Sequence, residues 1–355
     1  MSPAREPIRG RGTHRDPANR FESLALEPDD EVADSEDLQL PDPRTRYLRD
    51  HSRTLLSRNQ SPDLPFDRSL NPYRGCEHGC VYCYARPTHE YLGYSLGLDF
   101  ETRILVKPDA PELLARELGA RAWRPQTIAI SGVTDPYQPI ERRLQLTRRC
   151  LEVLAEFRNP VALVTKSRLI ERDRDLLSEL AQLDAVSVTL SITTLDSDLA
   201  RVLEPRAAQP SSRLAAIRSL AAAGIPVGVN VAPVIPGLND HELPGILSAA
   251  ASAGAGWGAW IMLRLPHGVE DLFSGWLSDH YPERRDKVLH RIESVRGGRR
   301  NDARFGDRMR GTGLFAEQIR HLFEVSLRRY GLDARGPTLS TAHFRSSRSR
   351  QLPLF

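Results

Sequence analysis

Three cysteines lie close together in one glycine-rich loop, and they are the residues whose chemistry is easiest to read. The segment is Asn71-Pro-Tyr-Arg-Gly-Cys76-Glu-His-Gly-Cys80-Val-Tyr-Cys83-Tyr-Ala-Arg-Pro87, with the spacing C-x3-C-x2-C. Thiolates are the ligands that iron–sulfur clusters prefer, and Gly75 and Gly79 supply the backbone freedom that a loop needs to wrap around such a centre. Three thiolates on a four-iron cluster leave one iron open, so the motif predicts a cluster that binds a further ligand.

Two other interpretations of the cysteines stay open from the residues alone. A zinc site would use His78 or His89 as the fourth ligand, because Cys3His sites are common. Three inert buried thiols are the second alternative, although a loop rich in Gly, Glu, His and Arg is not an apolar core. The whole chain has 355 residues and only four cysteines. A disulfide framework is therefore not expected, and the pattern is typical of a reducing cytosol.

The cysteine spacing, with Tyr82 directly before the third cysteine, resembles the radical S-adenosylmethionine superfamily. The wider string NPYRGCEHGCVYCYARPTHEYLG resembles the bacterial spore photolyase-like group, and the resemblance extends over about residues 44–344. It implies that Cys76, Cys80 and Cys83 hold a 4Fe–4S cluster whose fourth iron is chelated by S-adenosylmethionine. One electron would then split the sulfonium into methionine and a 5′-deoxyadenosyl radical.

The same resemblance implies cofactor contacts at the ends of successive strands. Lysine is rare in this chain, and Lys166 follows a predicted strand where it suits a carboxylate. The implied cofactor-binding residues are Tyr82, Ser131, Gly132, Thr134, Lys166, Ser191 and Asn230. Asp135 and Tyr137 are predicted to face cofactor or substrate as catalytic candidates, with helix capping as the alternative for Asp135. The Glu204-Pro205-Arg206 segment receives no role.

The fourth thiol, Cys150, lies on the apolar stripe of a predicted helix, so we expect it to pack in the core. Spore photolyase uses a cysteine as hydrogen donor near the end of the second barrel strand. Residues 126–139 contain no cysteine here. Repair of a thymine dimer by that same route is therefore not expected, and Tyr137 is the candidate substitute.

Apolar runs alternate with amphipathic stretches from about residue 44, which predicts an α/β fold with a parallel sheet and right-handed crossovers. We predict a partial (β/α)6 TIM-like barrel of the radical SAM type, with its site at the carboxyl ends of the strands. Strands are predicted at 69–73, 102–107, 127–131, 161–165, 186–191, 227–231 and 257–263. Helices are predicted at 110–122, 142–157, 171–182, 211–223, 241–253 and 313–330.

Charge patterning and composition divide the chain into four parts. Residues 1–44 carry a basic and then an acidic block that cannot bury a core, so a disordered tail is predicted. The barrel is assigned to residues 45–265, with the cluster-binding loop at 71–90. Residues 266–335 form a helical, Arg-rich extension, and residues 336–355 form a flexible tail.

The last five residues are Gln351-Leu352-Pro353-Leu354-Phe355, which resemble the peptide that binds the bacterial sliding clamp. Gln351, Leu352, Leu354 and Phe355 are the predicted partner contacts, and an apolar terminus docked on its own domain is the alternative. If the peptide binds the clamp, the arginines of residues 284–310 become candidates for DNA phosphates.

We expect no membrane segment and no export signal, hence a cytoplasmic protein. The resemblance implies a flavodoxin- or ferredoxin-type protein as electron donor. The leading hypothesis is a radical S-adenosylmethionine enzyme that acts on DNA or a DNA lesion. A radical enzyme with another substrate, and a non-catalytic zinc-stabilised protein associated with the clamp, are the alternatives.

Overall fold

Ten strands form two sheets in the computed structural model, which describes residues 8–21 and 44–346. The strands are β1 (Arg46–Arg49), β2 (Leu56–Arg58), β3 (Arg68–Leu70), β4 (Tyr73–Arg74), β5 (Arg103–Val106), β6 (Ile128–Ile130), β7 (Val161–Thr165), β8 (Val186–Ser191), β9 (Val227–Val234) and β10 (Trp257–Met262). The larger sheet has the order β10-β9-β8-β7-β6-β3-β2. Its six strands from β3 to β10 are parallel, and only the edge strand β2 is antiparallel.

Helices follow the parallel strands as the alternation predicted, and the mixed α/β partial barrel is confirmed. The helices are α1 (Asp99–Thr102), α2 (Ala110–Gly119), α3 (Glu141–Leu144), α4 (Leu146–Phe157), α5 (Arg174–Ala181), α6 (Ser197–Leu203), α7 (Pro210–Ala222), α8 (Leu243–Ser252), α9 (Val269–His280), α10 (Pro282–Ser294), α11 (Asp307–Arg310) and α12 (Leu314–Tyr330). Local chemistry sets several boundaries. Asp196 accepts hydrogen bonds from the first amides of α6, Pro210 opens α7, and Gly331 ends α12 in the left-handed conformation.

The predicted strand at 102–107 lies outside the barrel. Its counterpart β5 pairs with β1 and β4 in a separate three-stranded sheet. Within this sheet, β1 and β4 precede Cys76 in the chain and β5 follows the cysteine loop. Pairing with β1 is a long-range contact, so the local apolar pattern could not distinguish this strand from the barrel strands.

The predicted helix at 142–157 is divided into α3 and α4 at Gln145, which has a φ of 53°. The carboxylate of Glu141 explains the break. One of its oxygens accepts hydrogen bonds from the amides of Thr147 at 3.1 Å and Arg148 at 3.4 Å. Glu141 therefore caps the first turn of α4 from the preceding turn, satisfying amides that would otherwise have no acceptor.

Residues 8–21, here called the N-terminal strap, differ from the disordered tail expected for 1–44. The Asn19 side chain donates to the Glu90 carbonyl at 2.8 Å, and Leu98 donates its amide to the Arg15 carbonyl at 3.0 Å. Polar contacts of this kind hold a segment without an apolar core. Amino-acid composition indicates whether a segment can form an apolar core. It therefore could not predict that this segment is ordered by polar contacts.

Residues 332–346, here called the C-terminal strap, cross the end of the barrel where the strands begin. The amide of Gly258 donates to the Asp333 carbonyl at 2.9 Å, beside the start of β10. The amides of Ser340 and Arg345 donate at 2.8 Å to the carbonyls of Asp184, before β8, and Phe157, before β7. The first eleven residues of the segment predicted as a flexible tail at 336–355 are thus fixed to the barrel, and the last nine lie outside the described residues.

No helix in the described ranges is both long and apolar enough to cross a membrane.

Candidate functional site

The cysteine loop is fixed at several backbone positions at the carboxyl end of the barrel. The amide of Cys76 donates to the Phe100 carbonyl at 2.9 Å, and that of Val81 donates to the Leu203 carbonyl at 3.2 Å. Gly75 and Gly79 have φ values of 77° and 68°, the left-handed region that favours glycine. Cys76 and Cys80 are buried and Cys83 is half-buried, all as free thiols. The loop therefore has the wrapped conformation that the glycines predicted.

A fully buried ion pair lies directly beneath this loop. The Arg86 guanidinium pairs with the Glu101 carboxylate, and its Nε donates to the Cys80 carbonyl at 3.1 Å. The second oxygen of Glu101 accepts the amide of Gly12 at 3.0 Å. Gly12 also approaches the loop so closely that a Cβ there would lie 1.8 Å from the Gly79 carbonyl oxygen. The N-terminal strap thus reaches Cys80 through two hydrogen-bonded side chains.

The three thiols of the loop are shielded from solvent. Burial is the main cause that raises the pKa of Cys76, Cys80 and Cys83. A nearby positive charge or a metal centre would stabilise their thiolate forms. Among residues 8–21 and 44–346, no three His, Cys, Asp or Glu side chains are grouped closely enough to hold one metal ion.

The two histidines proposed as zinc ligands are both directed to other partners. Nδ1 of His78 lies 3.4 Å from the Asp135 carboxylate. Nε2 of His89 lies 3.0 Å from the carbonyl of Arg103, which can only accept, so this nitrogen carries the proton. Nδ1 of His89, however, is buried without a hydrogen-bond partner among the described residues. A histidine that binds a metal usually donates its other ring nitrogen to a carbonyl or carboxylate, so the Cys3His alternative stays open.

Lys166 lies at the carboxyl end of β7, as predicted, and its ammonium has three polar neighbours. Nζ donates to the Thr193 hydroxyl and the Ala232 carbonyl, both at 3.0 Å, and lies 3.1 Å from the Glu204 carboxylate. It also lies 5.7 Å from the centre of the Tyr82 ring. The ammonium is therefore held beside the ring of Tyr82 by three acceptors, with the Glu204 carboxylate as its counterion.

Glu204, which received no role from the sequence, is the centre of this network. Its carboxylate accepts hydrogen bonds from the hydroxyls of Tyr82 and Thr193 and pairs with the buried Arg213. Burial alone would raise the pKa of Glu204, but the charges of Arg213 and Lys166 outweigh it and lower the pKa well below its usual range. The carboxylate is consequently ionised at neutral pH and fixes both Tyr82 and Lys166.

The segment after β6 supports the cysteine loop from below. The Thr134 hydroxyl donates to the Gly75 carbonyl at 2.6 Å, and the Ser131 hydroxyl donates to the Thr134 carbonyl at 3.2 Å. Ser131 and Gly132 have φ values of 133° and 120°. These three predicted cofactor contacts therefore lie together beside the loop.

Two buried acceptors near the strand ends have no donor among the described residues. They are Oδ1 of Asn71, which follows β3, and Oδ1 of Asn230 in β9. Asn230 pairs in register with Ser191 at the end of β8. A buried amide oxygen without a donor is costly, so both oxygens are candidate acceptors for a ligand with an amino or hydroxyl group.

Asp135 is fully occupied by neighbouring residues. Its carboxylate accepts from the Thr165 hydroxyl at 2.7 Å, the Lys166 amide at 2.8 Å and the Tyr137 amide at 2.9 Å. Burial would raise its pKa, but His78 and these donors outweigh burial and lower it. This arrangement favours positioning of β7 and His78 over direct contact with substrate.

Tyr137 lies in the main hydrophobic core, 1% exposed, near Asp173 but without a hydrogen-bond partner for its hydroxyl. Its catalytic role stays a prediction. Cys150 is buried in the same core with Leu151 and Leu154 of α4, which confirms that it packs there.

A tyrosine and an arginine that the sequence analysis did not single out lie at the mouth of the barrel. Tyr84, next to Cys83, is 47% exposed, and its hydroxyl donates to the Gly132 carbonyl at 2.6 Å. The Arg264 guanidinium lies 5.0 Å from the Tyr84 ring centre. Tyr84 directly follows the third cysteine of the motif, and Arg264 lies just beyond the end of β10. These positions in the sequence could have identified both residues.

Many arginines of residues 284–310 have acidic or carbonyl partners within the protein. Arg308 pairs with Asp63, Arg304 with Asp302, and Arg300 with Glu293. The contact between Arg308 and Asp63 joins the C-terminal extension to the β2–β3 loop. This part of the run of positive charge therefore serves largely to close the open side of the barrel.

Comparison with known proteins agrees with this geometry. The Radical SAM superfamily model matches residues 70–250. An uncharacterized protein of Mycobacterium tuberculosis is 40% identical over 222 residues, covering 62% of this chain and 65% of that protein. An uncharacterized protein of Methanocaldococcus jannaschii is 31% identical over 173 residues, covering 49% of this chain and 62% of that protein. The chain thus matches just under two thirds of the length of these relatives.

Two solved structures have the same fold. Spore photoproduct lyase complexed with dinucleoside spore photoproduct is similar with a TM-score of 0.57 and 18% identity, covering 81% of this chain and 80% of that chain. A point mutant of spore photoproduct lyase gives a TM-score of 0.56 at 17% identity with the same coverage. With the family match over half of its residues, the chain belongs to the radical SAM superfamily, enzymes that use a 4Fe–4S cluster and S-adenosylmethionine.

Proposed function

We propose that Cys76, Cys80 and Cys83 hold the 4Fe–4S cluster and that S-adenosylmethionine binds between this loop and the ends of β6 to β9. The observation that supports the ligand assignment is the loop itself, which brings three thiols with raised pKa values to the carboxyl end of the barrel. When both groups are bound, the chemistry supplied is reductive cleavage of the sulfonium to methionine and a 5′-deoxyadenosyl radical.

The residues of the chain then bind and orient. Lys166, held by Glu204 and Thr193, is placed for the carboxylate of the cofactor. Asn230 offers a buried acceptor for a donor group of the cofactor. Thr134 fixes the Gly75 carbonyl, so the first cysteine keeps its position when a ligand arrives. We place the enzyme in the cytoplasm, with a flavodoxin- or ferredoxin-type protein as electron donor.

Replacement of one thiol tests the ligand assignment. Cys80→Ala, purified without oxygen, should lose its iron and form no 5′-deoxyadenosine under dithionite. Cys150→Ala is the matched control, because Cys150 is equally buried but lies in the core of α4, and it should keep its iron. Retention of iron and cleavage by the Cys80 variant would refute the assignment.

We further propose that the substrate is a DNA lesion. The supporting observation is the extent of the structural likeness to spore photoproduct lyase, which covers 81% of the chain and so reaches beyond the residues 70–250 matched by the family model. The hydrogen donor must differ from a cysteine, because the three loop thiols are assigned to the cluster and Cys150 is buried in the core.

The test incubates reduced enzyme and S-adenosylmethionine with ultraviolet-damaged DNA, and mass spectrometry follows both the lesions and 5′-deoxyadenosine. A decrease of one lesion, absent with Cys80→Ala, supports the proposal. Cofactor cleavage with unchanged lesions would refute the DNA substrate while leaving the radical chemistry intact.

The predicted clamp-binding peptide Gln351–Phe355 lies outside the described residues, and we retain it as a proposed partner site. Deletion of residues 351–355 should abolish capture by the purified sliding clamp and leave 5′-deoxyadenosine formation unchanged. If the sliding clamp captures the full-length and the truncated protein equally, the proposed binding peptide is wrong.

A further inference from the structure

Arg264 and Tyr84 form a bridge across the mouth of the barrel. Tyr84 is anchored at the end of β6 through the Gly132 carbonyl at 2.6 Å, and its ring lies 5.0 Å from the guanidinium of Arg264 beyond the end of β10. Because Tyr84 directly follows Cys83, this bridge lies beside the proposed cluster. A group bound here would be close to the site of radical chemistry.

The positive charge of Arg264 is not neutralised by a partner. Within the described residues, its hydrogen-bond contact is the Met309 sulfur at 3.9 Å, a weak acceptor. The nearest acid, Asp63, is occupied by Arg308 and by the amide of Gly306. Burial and the nearby Arg308 lower the pKa of Arg264. A lowered pKa is consistent with a guanidinium that no counterion pairs with directly.

Arg296 adds positive charge beside Arg264, whereas Arg310 is an exposed residue. Arg296 is 2% exposed and donates to the carbonyls of Leu263 and Asp307, while its Nε has no acceptor. Arg310 donates to the carbonyl of Trp260 and lies over the ring of that residue. Carbonyls satisfy the donors but leave the charges uncancelled, and burial lowers the pKa of Arg296 to about 10.

The acids nearest to this cluster are directed elsewhere. Asp302 and Asp307 both pair with Arg304, which is exposed. Partly buried cations without counterions are unfavourable, so the cluster gains free energy when an anion binds. A guanidinium fork suits the oxygens of a phosphate, and the exposed ring of Tyr84 suits a stacked base.

We propose that Arg264, supported by Arg296, binds a phosphodiester of single-stranded or extruded nucleic acid whose base packs on Tyr84. This proposal rests on the DNA substrate proposed above and names how part of it is held. Tyr84 directly follows Cys83, the third cysteine of the loop. The bound phosphate would therefore belong to a nucleotide next to the one that reacts.

The test measures the binding of a fluorescent thymidine dodecamer to the cluster-loaded protein by anisotropy at several salt concentrations. Arg264→Gln should weaken binding at least tenfold and reduce the slope of log K against log salt by about 0.7, the value for one phosphate of a single strand. Arg201→Gln is the matched control, because the Arg201 side chain is 65% exposed and pairs with Asp198. It should bind as the wild type does.

A second probe replaces the phosphates by neutral methylphosphonates. The wild type should then bind as weakly as Arg264→Gln, and the variant should show little further loss. Arg264→Lys should give an intermediate affinity, since it keeps the charge without the fork. An equal affinity of wild type and Arg264→Gln for the phosphate probe overturns the subsite, and so does the absence of any binding by the wild type.

The outcomes also separate this proposal from the proposed repair. Phosphate-dependent binding through Arg264 without any change in lesions retains the subsite and refutes repair. Repair by a protein whose binding does not depend on Arg264 retains the function and refutes the subsite.

Discussion

Replacing Glu204 by glutamine should destabilise the protein far more than an ordinary loss of one charge. Glu204 and Arg213 pair with side chains only 1% exposed, and Lys166 lies 3.1 Å from the same carboxylate. Glu204→Gln keeps the shape and an amide oxygen for Tyr82 and Thr193. It removes the negative charge that compensates two cations.

The magnitude follows from what remains after the substitution. Removing one member of a buried ion pair costs about 3–5 kcal/mol, because the other charge stays buried and unpaired. Arg213 also donates to the carbonyls of Ala208 and Ser191, so it cannot turn to solvent without losing these bonds. We therefore expect a loss near the middle of that range, about 4 kcal/mol.

Urea unfolding without oxygen, followed by circular dichroism and tryptophan fluorescence, measures this loss as a shift of the midpoint at constant slope. Asp198→Asn on the neighbouring α6 is the matched control. Asp198 pairs with Arg201, but the two side chains are 83% and 65% exposed, so a change below about 1 kcal/mol is expected. A loss below about 1 kcal/mol for Glu204→Gln itself would refute the reasoning from buried charge.

The pH dependence of the free energy of unfolding independently tests the sign of the Glu204 contribution. The pKa of Glu204 is lowered in the folded protein, whereas an unfolded glutamate titrates near about 4.3. Its contribution is therefore complete above about pH 4.3 and is lost as the pH falls toward the lowered value. The difference between wild type and Glu204→Gln should shrink on acidification below about pH 4. A difference that grows instead would contradict the assignment.

Three further predictions concern other buried groups. Burial lowers the pKa of His89 to about 4, so the unfolded state binds a proton that the folded state refuses between pH 4 and about 6.5. As the pH falls through that window, the free energy of unfolding of the wild type should decrease by about 3 kcal/mol, and that of His89→Gln should not. Urea unfolding measures both, and equal decreases would contradict this prediction. Gly12→Ala places a Cβ 1.8 Å from the Gly79 carbonyl oxygen, so it should cost about 1–3 kcal/mol and release iron to a chelator faster than Gly256→Ala, whose Cβ would meet only the Val227 carbonyl oxygen at 3.9 Å. Indistinguishable release rates would remove the strap from cluster retention. Tyr137→Phe removes a buried hydroxyl without a partner, so unfolding should change by less than about 1 kcal/mol and 5′-deoxyadenosine formation should persist; its loss would instead reveal a catalytic role.

The barrel strands could be predicted because their signal is local. The apolar alternation of residues 161–165 and 186–191 gives β7 and β8 with the bounds that the structure shows. One face of these strands is buried and the other is half-buried for most of their length, and their apolar and β-branched residues leave a strong local pattern. The cysteine motif is local in the same sense, since all its members lie within eight residues.

The supporting network could not be predicted, because its members are brought together by distant pairing. Glu204 meets Tyr82 across 122 positions, and Glu101 meets Gly12 across 89 positions. Composition also failed for the N-terminal strap, which is held by polar contacts rather than by burial of apolar side chains. Sequence reasoning therefore found the groups that could perform the chemistry and missed the residues that orient them.

The C-terminal strap has a consequence for how the enzyme could work while attached to something else. Its last described contact, from Arg345 to Phe157, lies at the amino ends of the strands, whereas Lys166 and Tyr84 lie at their carboxyl ends. A partner bound to the C-terminal strap itself would therefore contact the side of the barrel remote from Lys166 and Tyr84. Anchoring and turnover can then proceed together, each without displacing the other.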